Sequence, residues 1–263
     1  KALENARGSQ RAMILGRLVT LDLAEGRFGK ALEECRRGLE LAEQAGELPG
    51  QCTFLSAQAR LLELTGYPGE ALKRLAEMSN RAVRADDLGW QRRALWQKGL
   101  VQVRMNSLSQ AQRTADELKD FIGKGLNKRA IRFYDSLQGR IELGKKNYGQ
   151  AIEYFRKALS EADAQSSGSF DAIDLEPLGT AYLLTDDLDN ARKAFEAIGS
   201  LTSGRLSAGD IYALSFYRLG LIAEKLGDKA GARRNYEKFL ELWKDADPSL
   251  PEPADARKRL AAL

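Results

Sequence analysis

Apolar positions recur along this chain in blocks of helical spacing, separated by short polar or glycine-bearing breaks. In one class of block an alanine is followed four residues later by Cys35, Leu75, Ala115, Phe155, Phe195 or Tyr236. Three residues further stand Gly38, Met78, Leu118, Ala158, Ile198 and Phe239. An i, i+4, i+7 stripe is the buried face of an amphipathic helix. Twelve residues before each alanine come Val19, Ala59, Gly99, Gly139, Gly179 and Gly220, on a preceding helix. A small residue there in five of the six copies lets two helices approach closely, with Gly or Ala facing the alanine. That packing offsets the roughly 1 kcal/mol that glycine costs inside a helix.

The alanines are Ala31, Ala71, Ala111, Ala151, Ala191 and Ala232, spaced 40, 40, 40, 40 and 41 residues apart. A fixed period of this length is the mark of a repeat architecture. Gly26, Gly66, Asn106, Asp186 and Gly227 share one column between the two helices, where a helix ends and left-handed or capping geometry is favoured. Phe28, Leu108, Tyr148 and Leu188 follow two positions later and can cover the end of the core, while Pro68 starts its helix directly. Breaks at 45–50, 84–89, 123–125, 164–169 and 199–204 close one pair and open the next. The expected repeats are residues 10–47, 50–86, 90–125, 127–166, 170–201 and 208–246 of a single domain spanning 1–263. A thirteenth helix, 252–263, caps them after Pro248 and Pro251, and Phe239 and Trp243 are expected to pack beneath it.

Composition agrees with an all-α chain. Of 263 residues 43% are apolar, enough for a sizeable core, and the six prolines and the excess of Leu, Ala, Glu, Lys and Arg favour helix over strand. The charge balance, 41 basic against 37 acidic residues, is a mild +4 without a basic block. Phosphate backbones call for basic residues gathered on one face, so nucleic acid is not an expected partner. No apolar run reaches the length of a spanning helix and no signal pattern opens the chain, so a soluble segment is expected, with cytoplasm or periplasm both open. A start at Lys1 without Met is the expectation for part of a longer protein.

Catalytic chemistry has little to work with. The chain holds no His, which removes the usual general base, the Ser-His and Cys-His nucleophile pairs and the commonest zinc ligand. There is no phosphate-cradling glycine motif, and Gly123-Lys-Gly125 reads as an inter-repeat turn. The pairs Asp86-Asp87 and Asp186-Asp187 lie at turns, where aspartate caps the next helix. Cys35 and Cys52 would stand ~15 Å apart along helix and turn, beyond the reach of a disulfide, so two free thiols are expected. No catalytic residue, cofactor or metal is assigned.

The small residue, the turn, the alanine and the aromatic four later resemble the tetratricopeptide repeat, as in Leu178-Gly-Thr-Ala-Tyr182 with Ala191 and Phe195, Leu219-Gly220 with Ala232 and Tyr236, and Asn147-Tyr-Gly-Gln-Ala151 with Phe155. The resemblance covers nearly the whole chain. It departs from the family in its period, forty against the usual thirty-four, and in mostly lacking the closing proline. It implies a right-handed α-solenoid of about six helix pairs with the capping helix, acting as a non-catalytic interaction module or scaffold. The stretch 227–252 is similar to the end of repeat arrays fused to bacterial Ser/Thr protein kinases and winged-helix regulators. That likeness implies the alternative, a ligand-sensing regulatory arm of a signalling protein.

Members of the family bind extended segments along the first helix of each pair. Carried over residue by residue, this implies a peptide-binding surface of Arg60, Arg93, Trp96, Leu100, Phe133, Ser136, Arg140 and Tyr217, to which Arg104, one step beyond the inward-facing Val103, is added. Arginine and tryptophan dominate binding energy at interfaces, and the expected ligand has acidic residues flanking an apolar anchor. The competing expectation is that Trp96 and Phe133 belong to the inter-repeat core. The lysine and asparagine clamp by which some members hold a C-terminal carboxylate is not seen. Solenoid ends are exposed surfaces, so a homodimer through them is a further expectation.

Overall fold

The structure, a computed structural model, describes residues 9–160, 168–201 and 208–263. Among these residues there are thirteen α-helices and no strand. In order they are α1 (Ser9–Ala24), α2 (Phe28–Gln44), α3 (Leu48–Leu64), α4 (Pro68–Arg84), α5 (Leu88–Arg104), α6 (Leu108–Lys124), α7 (Ile131–Gly144), α8 (Tyr148–Ser160), α9 (Gly168–Leu184), α10 (Leu188–Ser200), α11 (Gly209–Lys225), α12 (Lys229–Leu242) and α13 (Pro251–Ala262). The 3-10 turn Lys128–Ala130 precedes α7. Each of α2 to α6 is 17 residues long. A 17-residue helix and a three-residue turn make a half-repeat of twenty, which is how the forty-residue period is filled. The breaks expected at 164–167 and 202–204 lie outside the described residues.

The turns share one mechanism. Gly26, Gly46, Gly66 and Gly227 have φ between +65° and +88°, and Asp86, Asn106, Lys146 and Asp186 stand in the same left-handed region with φ from +52° to +66°. In most of them the N–H of that residue donates three residues back and the next N–H donates five back, as in Gly66 to Glu63 O (3.2 Å) and Tyr67 to Leu62 O (2.7 Å). This Schellman pairing satisfies carbonyls left over at a helix end. The following residue then opens the next helix. The Asp87, Asp187 and Asp228 side chains accept from the N–H of Trp90, Asn190 and Gly231 at 3.0, 3.2 and 2.8 Å. Of each Asp-Asp pair the first therefore bends the chain and the second caps.

Contacts divide the chain into two compact units. The first comprises α1 through Val19 and Phe28–Lys146; in it each helix from α2 to α7 packs on the next, and α3, α5 and α7 also touch in succession. Ala71, Leu75, Met78, Ala111, Ala115 and Leu118 are fully buried there. The second comprises Thr20–Arg27 and Asn147–Leu263, with α8 to α13 again packed in order. Ala191, Phe195, Ala232, Tyr236 and Phe239 form its interior.

The small column has a different partner from the expected alanine. A Cβ at Gly179 would stand 2.8 Å from the Phe195 ring, and one at Gly220 would stand 2.4 Å from the Tyr236 ring. At Gly99 it would meet Leu137 of the next pair at 2.3 Å. Side chains on a helix lean toward its N-terminus, so the ring four residues after the alanine comes to rest at the glycine's level.

Cys35 and Cys52 are free and buried, and burial together with Glu34 pushes the Cys35 thiol up to about 12. The Ala24–Arg27 turn lies against Trp243, a contact in addition to the packing expected beneath α13. Helix α13 is seated by Arg259 on Glu224 (2.6 Å) and by Asp255 under the Tyr217 hydroxyl (2.7 Å).

Candidate functional site

Helices α3, α5 and α7 place Ser56, Trp96 and Ser136 in one row, and Arg60, Leu100 and Arg140 in the row one turn later, because both rows repeat at forty residues. The first row is a packing layer. The Trp96 indole is only 4% exposed, meets the Phe133 ring edge-on with centroids 5.5 Å apart, and donates from Nε1 to Ser136 Oγ at 3.3 Å. Ser56 Oγ donates to Gln97 Oε1 at 2.9 Å. Trp96 and Ser136 thus bind α5 to α7 and lie within the inter-repeat interior, while Phe133 and Leu100 are half-buried.

The second row carries charge. Arg140 is aimed by its own helix, donating from Nη1 to Ser136 Oγ (3.0 Å) and Ser136 O (3.2 Å). Arg104, at the end of α5, is exposed, and Arg60 is half-buried. All three guanidinium groups act on the half-buried Glu63 carboxyl, which burial nevertheless pushes above the ordinary glutamate range. The arginines come from three successive pairs, and the charge of each acts on one acid of α3.

On the N-terminal side of α5, the Arg92 guanidinium lies over the Phe133 ring at 5.0 Å and Arg93 over the Trp90 ring at 5.4 Å. Burial lowers both guanidinium pKa values, and the Arg93 group is lowered further by Arg92. Arg92 Nε is buried without a hydrogen-bond partner. Sequence reasoning did not single out Arg92 or Trp90, and it reached Glu63 only as one of the inward-facing positions that the family resemblance implies, beside Thr53, Ser56 and Arg60. The signal for Glu63 was its i, i+3 spacing from Arg60, which puts both on one helix face.

Tyr217 belongs to the second unit, 8% exposed between the Tyr236 and Phe239 rings, and its hydroxyl is committed to Asp255. Tyr217 and then Arg259 hold the Asp255 carboxyl below the usual aspartate range, while burial and Asp255 push the Tyr217 hydroxyl up to about 12. A depressed carboxylate contributes stability that is complete above its unfolded pKa, near 4, and lost as pH falls through the folded value. A raised phenol contributes below about pH 10 and loses that contribution as pH rises through its folded value. Tyr217→Phe is therefore expected to flatten the acid limb: between pH 6 and 3 the melting temperature should fall less than in the parent chain. Parallel curves would show that this contact does not seat α13.

Among the described residues no cluster of His, Cys, Asp or Glu could hold a metal, and no described helix is long and apolar enough to cross a membrane. Two family models of the tetratricopeptide repeat match the chain, over residues 137–164 and 214–246. The chain contains tetratricopeptide repeats. The matches contain the pairs Gly139 with Ala151 and Gly220 with Ala232, where the small residue and the alanine stand twelve apart. Among solved structures the chain is similar to a tetratricopeptide repeat protein from Parabacteroides merdae, at 15% identity over 98% of this chain and 86% of that one, with a TM-score of 0.55. It is also similar to the Cut9–Hcn1 hetero-tetramer of the APC/C, at 14% identity over 98% of this chain and 57% of that one, with a TM-score of 0.50. No curated protein matches it in sequence. The likenesses establish the fold, an all-α solenoid of tetratricopeptide-type helix pairs. Repeats of this kind serve as scaffolds for protein–protein interaction.

Proposed function

We propose that this protein is a non-catalytic module that binds an extended segment of another protein along α3, α5 and α7, and that acidic residues flank an apolar anchor in that segment. The observation that supports the reading is that the charges of Arg60, Arg104 and Arg140, from three successive pairs, all act on the half-buried Glu63. The half-buried charges of Arg60 and Arg140 interact more strongly than solvated ones, and arginine forks pair bidentately with carboxylates. Half-buried Leu100 and Phe133 supply apolar contact beside them, while the Trp96–Ser136 layer keeps the helices in register.

The test uses fluorescent peptides in which two aspartates flank a leucine, with lysines replacing the aspartates in the control set. Reversing two charges, Arg60→Glu with Arg104→Glu, is expected to weaken binding of the acidic set about 100-fold at low salt, and 0.3 M salt to weaken the parent complex as well. Circular dichroism confirms that the variant remains helical. Equal affinity of parent and variant, or of acidic and basic peptides, rules the reading out.

A further inference from the structure

Among the described residues four turns place a glycine at positive φ, and three of them stand open: a Cβ at Gly46, Gly66 or Gly227 would meet nothing within 4 Å. Gly26 is different. With φ +72°, it would carry a Cβ 2.9 Å from Ala246 Cβ and 3.0 Å from the Trp243 ring. Two carbonyls at this helix end are also taken. The Trp243 indole N–H donates to Ala24 O at 3.1 Å, and the Asp247 N–H donates to Gly26 O at 3.0 Å.

Gly209, at the start of α11, brings its backbone onto Ala24, so that a Cβ there would lie 2.3 Å from Ala24 Cβ. Trp243 is 1% exposed, with the Phe239 ring behind it at 5.1 Å. Arg27 is held by Asp22 and Glu25, and the Asp245 charge acts on it. The last carbonyls of a helix have no partner of their own and carry the negative end of its dipole, so an N–H donor is the chemistry that fits them.

We infer that the Ala24–Arg27 turn is a docking socket for the chain's own Trp243–Asp247 segment, and that this clasp keeps the protein monomeric by occupying the end of α1. The socket has a glycine floor that only the absent Cβ leaves free, two carbonyl acceptors, and a small-residue wall from Gly209. Its occupant is a tryptophan 219 positions away in sequence. A contact made within one folded chain operates at an effective concentration near millimolar, which a second copy at micromolar concentration does not match. A homodimer built through the end of α1 would need this same surface.

Gly26→Ala and Gly46→Ala form a matched pair. Both place an alanine at positive φ, +72° and +65°, but only the first also fills the socket. With 5-fluorotryptophan in the full chain, the three tryptophans give separate 19F signals, and Trp243→Phe assigns one of them. Gly46→Ala is expected to lower the melting temperature by about 3 °C and leave that signal in place. Gly26→Ala is expected to lower it by about 8 °C and move the Trp243 signal to a solvent-exposed position, with the Trp90 and Trp96 signals unchanged. Light scattering on the parent chain should give a monomer from 1 to 100 µM. Equal melting shifts with an unmoved Trp243 signal, or a parent chain dimeric at 1 µM, would overturn the inference. Should Gly26→Ala fail to fold, Trp243→Phe, which removes the indole N–H to Ala24 O, is read by hydrogen exchange: lost protection of the Asp247 amide supports the clasp, and undiminished protection overturns it.

Discussion

Trp96→Ala is expected to cost about 3–5 kcal/mol of stability and to lower the melting temperature by roughly 10 °C. The indole is almost wholly enclosed, stands edge-on to Phe133 and holds Ser136 through its N–H. Its removal leaves a cavity between α5 and α7 as well as a lost aromatic pair and hydrogen bond. Urea unfolding followed by circular dichroism checks the figure. A surface anchor in a groove would behave in the opposite way, costing affinity but leaving stability within about 0.5 kcal/mol. A change that small would return Trp96 to the list of peptide contacts.

The second large effect is expected from overfilling. Gly220→Val puts three carbons where the Tyr236 ring already lies 2.4 Å from a single Cβ position. Tyr236 is fully buried and its ring cannot swing into solvent. The strain is expected to cost about 3 kcal/mol, near the upper end for overpacking. A matched Tyr236→Leu replacement in the same chain should recover part of that loss, with a coupling energy of about 1–2 kcal/mol between the two sites. Strict additivity of the two substitutions would mean that glycine is kept at 220 for a reason other than the ring.

The same residues show how far the sequence could be read. The alternation of helix and turn was legible because its signals are local: a glycine, asparagine or aspartate where the chain bends, in three turns an aspartate after it, and an apolar stripe between. Asp86-Asp87 and Asp186-Asp187 were readable as turns and caps, because one residue must bend the chain and the next must accept an N–H. Lys146 shares the turn column but gives no local sign of positive φ, since lysine rarely adopts it. Gly179 and Gly220 announced a close approach but not its partner, because the ring that fills the space leans back a full turn from its own position.

The candidate surface divides along the same line. Arg60 and Arg140 could be marked from the repeat register, with Arg104 one step beyond it, and the charge of each acts on the Glu63 carboxyl. That Glu63 is the acid they share depends on side chains from three helices, which no window of sequence contains. Trp96 and Tyr217 carried the composition of binding anchors, yet one lies in the layer between α5 and α7 and the other is tied to Asp255. Burial is a property of what lies opposite, so residue type alone could not separate an anchor from a core ring.

By itself the sequence determined the all-α class, the forty-residue period, the turns and the buried stripe of each second helix, because these follow from backbone geometry and periodicity within some twenty residues. The tertiary structure decided which ring each glycine receives, which arginines act on Glu63, and that Trp243 closes on Ala24 and Gly26 across 219 positions. Such contacts are fixed by the stacking of whole helix pairs, and their partners are too far apart along the chain for any local pattern to carry them.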